Sequence, residues 1–392
     1  MFHDVAPHAR VAWNDSSAGD GAMITSMELN QYRGFDRYRL AQLSRVNLLV
    51  GKNNCGKTSI LEAVRILASG GDPAVLSRTA WERGEVYLEE EARLDGQREI
   101  YSDISHLFHG HDFNVGSSFA VRSENHWGSV AVEVVSTEDA KPDETQLWKP
   151  GGVTDFWPGL VLRIETKNSN SNGEQVIRVT ENGGIPEPRR HSRLMTMDPG
   201  DVAPVQFISP VSLEPESMSG MWDKVLVDGR EEEVHEAMRI LEPSLNSISF
   251  LSGGSTTHPG RAGVLVGFRD KKRRVPLASH GEGMRRLLAL SLSLIHSKGG
   301  LLLVDEIDTG LHYSVMEEMW LLVVKAAERF DVQVFATTHS FDCVRGLAAL
   351  VESHPEVKDQ ISVQKIDRNL DEAVAFAADE IENAIDHGIE VR

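Results

Sequence analysis

The chain has 392 residues, enough for two or three domain-sized units, and its 41% hydrophobic and 25% charged residues are the proportions of an ordinary water-soluble protein. A formal net charge of −19 excludes a protein whose whole surface grips nucleic acid, although a local basic groove is still compatible with it. Two cysteines, Cys55 and Cys343, are too few for a disulfide framework or a Cys-based zinc site, and neither an apolar run of membrane-span length nor a basic start followed by an apolar segment is present, so a cytoplasmic protein with no membrane association is expected.

Residues 1–22 are polar and aperiodic and are expected to be a tail. "ITSMELNQYRGF" then predicts a strand leading into a turn, and Val46–Val50 a short buried strand. Next comes "GKNNCGKTS", in which Gly51, Gly56, Lys57 and Thr58 match the pattern Gly, four residues, Gly-Lys-Ser/Thr, and Ile60, Leu61, Val64 and Leu67 recur behind it at helical spacing. A Gly-rich turn between a strand and a helix gathers the backbone N–H groups of Gly51, Asn53, Asn54, Cys55, Gly56, Lys57, Thr58 and Ser59 around one spot, where the helix dipole also favours an anion. Lys57 would bridge the β- and γ-phosphates of a nucleotide and the Thr58 hydroxyl would ligate Mg²⁺; the alternative is a tight strand-to-helix turn capped by Asn54.

The helix should stop at "ASGGDP", after which residues 72–200 are the least legible, with strand-like runs "SVAVEVV", "LVLRIE" and "QVIRV", the last two joined by the hairpin signal "TKNSNSNGE". The expected organisation is a tail at 1–22, an N-terminal nucleotide-binding lobe at 23–71, an insertion or arm at 72–200 and a C-terminal lobe at 201–392. "PVQFISP" predicts a short buried strand and "REEEVHEAMRILE" an amphipathic helix. The basic runs "KKRR" at 271–274 and "RRHSR" at 189–193 are expected as solvated hairpin tips. Two other patterns, "HLFHGHD" with His106, His109, His111 and Asp112, and "VHEAM", are taken as incidental rather than metal-binding. Beyond residue 275 helices and strands alternate, which implies a mainly parallel sheet that the phosphate-loop strand would complete.

Four apolar residues, Leu301–Val304, end in Asp305 and Glu306, and in a parallel sheet ligands sit beyond the carboxyl ends of the strands. Asp305 would hold Mg²⁺ opposite Thr58 and Glu306 would act as general base; taken alone the pair could equally end a strand and cap a helix. In "VQVFATTHSFD", His339 lies just past another strand and should surface at the same rim to meet the γ-phosphate, with Ser340 capping the next helix. For the remaining role the literal "LSGG" at 251–254 is rejected, because glycines and Pro259 follow where a helix is needed. "LASHGEGMRRLLALSLSL" serves better: Ser279 and the N–H groups near Gly281 and Gly283 would face a phosphate at the start of an apolar helix. No Asn-Lys-x-Asp reader of guanine is visible.

With these segments in order, "QYRGF", "LLVGKNNCGKTSILEAV", "SHGEGMRRLLAL", "LLLVDEIDTGLH" and "VFATTHS" resemble the ATP-binding-cassette (ABC) ATPases of the SMC, RecF and OLD type, closest to the compact bacterial AAA15/AAA21 ATPases that lack a Toprim nuclease module. The motifs cover roughly residues 23–70 and 275–345. His280 stands where many relatives have Gly or Ser, His312 where transporters have the D-loop aspartate, and no Q-loop glutamine can be placed. The resemblance implies an α/β P-loop NTPase head with a mainly parallel central sheet, an antiparallel β portion and an inserted α/β arm. It also implies hydrolysis of ATP with Mg²⁺, and a head-to-tail homodimer, or a higher oligomer, in which each ATP lies between Lys57 of one subunit and Ser279 of the other. Relatives act in antiphage defence or DNA repair, so the expected partner is a separate effector such as a nuclease; the alternative is a RecF-like or SMC-like repair ATPase that binds DNA itself.

Overall fold

Val46–Val50, Leu301–Val304 and Gln333–Thr337 are buried along their whole length, as strands covered on both faces must be. A computed structural model of the protein describes residues 23–88, 100–124, 127–138, 147–148, 159–168, 172–186, 204–210, 215–239, 242–251, 263–270, 272–378 and 380–381. In it these strands are the middle of a six-stranded sheet ordered Val205–Ile208, Leu301–Val304, Gln333–Thr337, Val46–Val50, Ile361–Lys365 and Val374–Ala377. The first five are parallel and the last is antiparallel. The phosphate-loop strand thus sits between two strands that lie more than 280 positions away, paired Val334 to Val46 and Ile361 to Val46.

The pleat divides the core. Leu302, Val304, Val334 and Ala336 face one cluster, with Leu288, Leu292, Trp320, Val323 and Leu347 from the helices Glu282–His296, Met316–Phe330 and Phe341–Ser353. Leu301, Leu303 and Phe335 face the other, which holds the helix Lys57–Ala68. Beyond that helix lies a seven-stranded sheet ordered Phe35–Leu40, Met27–Tyr32, Ser118–Arg122, Ser129–Ser136, Leu160–Lys167, Asn172–Arg178 and Leu147–Trp148, antiparallel except at its last pair. Its inward residues Leu29, Val121, Val132 and Ile164 join Ile60, Val64 and Leu67 of the helix in one cluster. The phosphate-loop helix is therefore clamped between two sheets.

The legible hairpin at 160–178 forms as its turn signal predicts, with Leu162 opposite Ile177. The middle strands also take up the hairpin at 27–40, through Leu29 opposite Val121, so residues 118–178 and the segment before the phosphate loop share one sheet and one core. "VQFI" is an edge strand in which only Ile208 is buried, because among the described residues no strand pairs with its outer side. Val374–Ala377 pairs antiparallel with Ile361–Lys365 and closes that edge of the sheet. Lys272, Arg273 and Arg274 are exposed between the strands Gly263–Phe268 and Val275–Pro276. "RRHSR" at 189–193 and Ser252–Gly254 of the literal "LSGG" lie outside the described residues. No helix among the described residues is long and apolar enough to cross a membrane.

Candidate functional site

The turn 51–56 is shaped by two glycines that could not be anything else. Gly51 has φ +142 and a Cβ there would lie 2.5 Å from the Ile366 carbonyl oxygen; Gly56 has φ +100 and a Cβ there would meet the Phe35 ring. Gly56 occupies the N-cap position of the helix Lys57–Ala68 without a side-chain cap, so the alternative of an Asn54 cap is not what forms. The first intrahelical bond is donated by the Ile60 N–H to the Gly56 carbonyl, which leaves the N–H groups of Lys57, Thr58 and Ser59 for something outside the helix. The Ser59 hydroxyl accepts from Arg83 Nη2 at 3.2 Å, so that residue's offer to a phosphate is its N–H.

Lys57 is 4% exposed. Its ammonium donates to the carbonyls of Gly51 (2.8 Å) and Lys52 (2.9 Å) and to His339 Nδ1 (3.2 Å), and lies 3.8 Å from Cys55 Sγ. Burial lowers its pKa, against the nearby Cys55, Asp305 and Glu306 that favour the charged form. The Thr58 hydroxyl donates to Asp305 Oδ2 at 3.0 Å, and Thr337 donates to Asp305 Oδ1 at 2.6 Å, so the buried carboxylate is fixed from both sides. The Glu306 N–H in turn donates to Thr337 Oγ1 at 2.8 Å, which ties the two acids through one threonine. Glu306 has φ +49, and its Oε1 lies 3.5 Å from His339 Nε2. Because Nδ1 accepts from Lys57, Nε2 is the protonated nitrogen and points at the Glu306 carboxylate. Asp308 accepts from Thr338 at 2.6 Å.

Asn53, Asn54, Glu306, Asp308 and His339 line a cavity of about 370 Å³. Lys57, Thr58, Asp305, Glu306 and His339 thus come together from three neighbouring strand ends, with an anion-accepting loop on one side and acids on the other. The Thr58 hydroxyl and the Asp305 carboxylate are hard oxygen donors within hydrogen-bond distance of each other. One carboxylate and a hydroxyl suit a small divalent cation that takes its other ligands from a phosphate and water. Ser279, Gly281 and Gly283 do not line this cavity. Ser279 and Gly281 are exposed at the turn Leu277–His280 and the N-cap of Glu282–His296, with Gly281 at φ +89. Gly283 packs on the Gly310 carbonyl.

Four participants were not singled out from the sequence. Arg286 is 0% exposed and bonds the carbonyls of Ser209, Asp305 and Glu306; an arginine inside an apolar helix is the signal that marks it. Thr337 and Thr338 look like ordinary strand residues. Glu62, in the middle of "ILEAV", is 4% exposed and pairs with Arg33 (2.7 Å) and Arg83 (2.6 Å). In the histidine run His109 bonds the Arg33 carbonyl and His106 Nδ1 lies 2.9 Å from His111 Nδ1.

A phosphate loop, a histidine past the adjacent strand, an acid pair past the strand beyond it and an antiparallel lobe packed on the loop helix make an ATPase site similar to those of the ABC-class ATPases of the SMC and RecF type. Residues 204–342 match the family model described as "AAA domain, putative AbiEii toxin, Type IV TA system", and residues 23–114 match the one described as "AAA ATPase domain". The chain is similar to an ATP/GTP phosphatase of Helicobacter pylori, 21% identical over 84% of this chain and 88% of that one. It is also similar to the DNA replication and repair protein RecF of Oceanobacillus iheyensis, 28% identical over 30% of this chain and 32% of that one. Among solved structures, an SMC head bound to the C-terminal winged-helix domain of ScpA aligns at 14% identity over 91% of this chain and 99% of that chain, with a TM-score of 0.46. The SMC head domain from Thermotoga maritima aligns at 13% identity over 90% of this chain and 98% of that one, with a TM-score of 0.40.

Proposed function

We propose that this ATPase closes as a head-to-tail homodimer around two ATP molecules and that the closed and open states gate a partner effector, a nuclease, in cytoplasmic defence against phage. One observation carries the dimer: Ser279 and Gly281 stand exposed at a helix start yet line no part of the cavity bounded by Asn53, Asn54, Glu306, Asp308 and His339, so a phosphate for them has to come from a second copy. The description of the family matched by residues 204–342, with its toxin of a toxin–antitoxin system, supports the defence setting.

In this reading the N–H groups of residues 53–59 cradle the phosphates. Lys57 exchanges its bonds to the Gly51 and Lys52 carbonyls for β- and γ-oxygens. Thr58 and Asp305 hold Mg²⁺, which when bound supplies charge neutralisation at those oxygens. Glu306 accepts a proton from the attacking water, and His339 Nε2 orients its carboxylate while Nδ1 reports on Lys57. Glu306→Gln keeps the shape and removes the base, so it should bind ATP, lose at least about 100-fold in turnover and accumulate as a dimer. Light scattering with and without ATP, beside a phosphate-release assay, checks this; normal hydrolysis by the variant, or a mass unchanged by ATP, overturns it.

The match to RecF favours a second reading, a clamp that binds duplex DNA in the dimer groove or at Lys272–Arg274. ATP-dependent DNA retention that weakens steeply with salt is its mark, and no retention at low salt removes it.

A further inference from the structure

We propose that Arg286 is the positioning residue for Glu306, through which the helix Glu282–His296 makes hydrolysis depend on what its own N-terminus touches. The inference rests on Glu306 being the base and goes one step beyond it. Arg286 lies one turn into that helix and is fully buried. A single nitrogen, Nη2, donates to the carbonyls of both Asp305 and Glu306 at 2.9 Å, while Nη1 donates to the Ser209 carbonyl at 2.8 Å, just past the edge strand Val205–Ile208. Nε has no partner among the described residues, so this guanidinium is held for its two forked nitrogens alone. Burial lowers its pKa while Asp308, Asp305 and Glu306 hold the proton on.

Those bonds matter because of the conformation they secure. Glu306 has φ +49, a region that side-chain-bearing residues seldom adopt, and its peptide is pinned on one side by its N–H to Thr337 and on the other by its carbonyl to Arg286. With the carbonyl released, the carboxylate is free to leave the face of His339, from which Nε2 is only 3.5 Å away. The helix that carries Arg286 begins at Gly281 and Ser279, the residues assigned to the second subunit's ATP. Its first turn also packs closely on the acid loop, where a Cβ on Gly310 would lie 2.9 Å from Glu282 Cγ and one on Gly283 would lie 3.3 Å from the Gly310 carbonyl. A shift of the helix start on meeting a phosphate is thereby handed to the base of the same chain, so each nucleotide primes the other site. Lysine in place of Arg286 keeps the charge and most of the bulk but offers a point donor in place of a planar fork, and cannot hold three carbonyls in the same geometry.

The test is Arg286→Lys, with Arg286→Met beside it and thermal melting of both as the folding control. Affinity for a non-hydrolysable ATP analogue should stay within about threefold of the parent, while kcat falls at least about tenfold for Lys and further for Met. A residue that merely stabilises the fold would move affinity and turnover together or neither. In the Glu306→Gln background, Arg286→Lys should change the residual turnover by less than about twofold, because its effect runs through the missing base. A folded Arg286→Lys with parental kcat, a parallel loss of affinity, or an undiminished tenfold effect in the Gln background overturns the proposal while leaving Glu306 as base. Parental turnover by Glu306→Gln alone overturns the assignment of the base and the proposal with it.

Discussion

Lys57 lies in a place suited to a charge but with no countercharge in contact among the described residues. Its ammonium is bonded to two carbonyls and an imidazole nitrogen, and burial depresses its pKa. A triphosphate bonded to it favours the charged form and raises that pKa. The sign follows: below the depressed value Lys57 is protonated with or without ligand and affinity is flat, whereas above it the free protein has lost a proton that binding must recover. ATP affinity should therefore fall as pH rises, starting below the ordinary lysine range, with proton uptake visible by calorimetry in buffers of different ionisation enthalpy. Lys57→Met removes charge-assisted bonds worth about 2 to 3 kcal/mol, a loss of roughly 30- to 150-fold in affinity, and with it the alkaline dependence. A Met variant whose affinity still declines over that range would assign the titration elsewhere.

At the scale of elements, the phosphate-loop helix is oriented as much by a buried ion cluster as by its apolar face. Arg33, at the turn of the hairpin 27–40, meets Glu62 of that helix at 2.7 Å and Glu85 at 2.7 Å, and Arg83 meets Glu62 at 2.6 Å. Burial pushes the Glu62 carboxyl above the usual range, with Arg33 and Arg83 pulling it back. Removing one partner of such a cluster leaves an unpaired charge in the interior, so Arg33→Met should cost about 3 to 5 kcal/mol by urea denaturation. The double variant Arg33→Met/Glu62→Met should regain part of that loss, since Arg83 is a third exposed and can hydrate. Equal stability of the single variant and its parent would mean that the cluster carries no orienting energy. The sequence displayed half of this device. "QYRGF" and "ILEAV" each stand out, one as a turn and one as a helix, but an ion pair between them depends on a fold that brings position 33 over position 62. The same distinction runs through the site. The phosphate loop and the acid pair are legible because their chemistry is local to one strand end. Arg286 shows only as an arginine in an apolar helix, and its role does not, because its partners are backbone carbonyls 19 and 77 positions away. Nor was the role of the middle strands legible: Ser118–Arg122 is a short strand with its three central residues buried, and nothing in it names Met27–Tyr32 as its neighbour.

At the scale of the molecule, the exposed Ser279 and the enclosed Lys57 make a demand that single variants cannot test as sharply as pairs of them. If each ATP is held by Lys57 of one subunit and Ser279 of the other, a chain with Ser279→Arg and a chain with Lys57→Met are both inactive, for different reasons. The first keeps a phosphate loop and lacks a usable signature; the second keeps the signature and lacks a loop that holds ATP. Mixed, they form a dimer in which one composite site has an intact Lys57 and an intact Ser279, while the other has neither and contains no ATP for the arginine to clash with. Random assortment at equal concentrations puts half of the dimers in this state with one working site of two, so the mixture should recover roughly a quarter of the parental ATPase rate for independent sites. Coupling through Arg286 lowers the recovered rate below that figure, since the empty site cannot prime its neighbour. Adding Arg286→Lys to the chain that supplies Lys57 should depress it further, and adding it to the other chain should not. No recovery in any ratio, with light scattering showing mixed dimers present, would mean that the two residues do not serve one nucleotide.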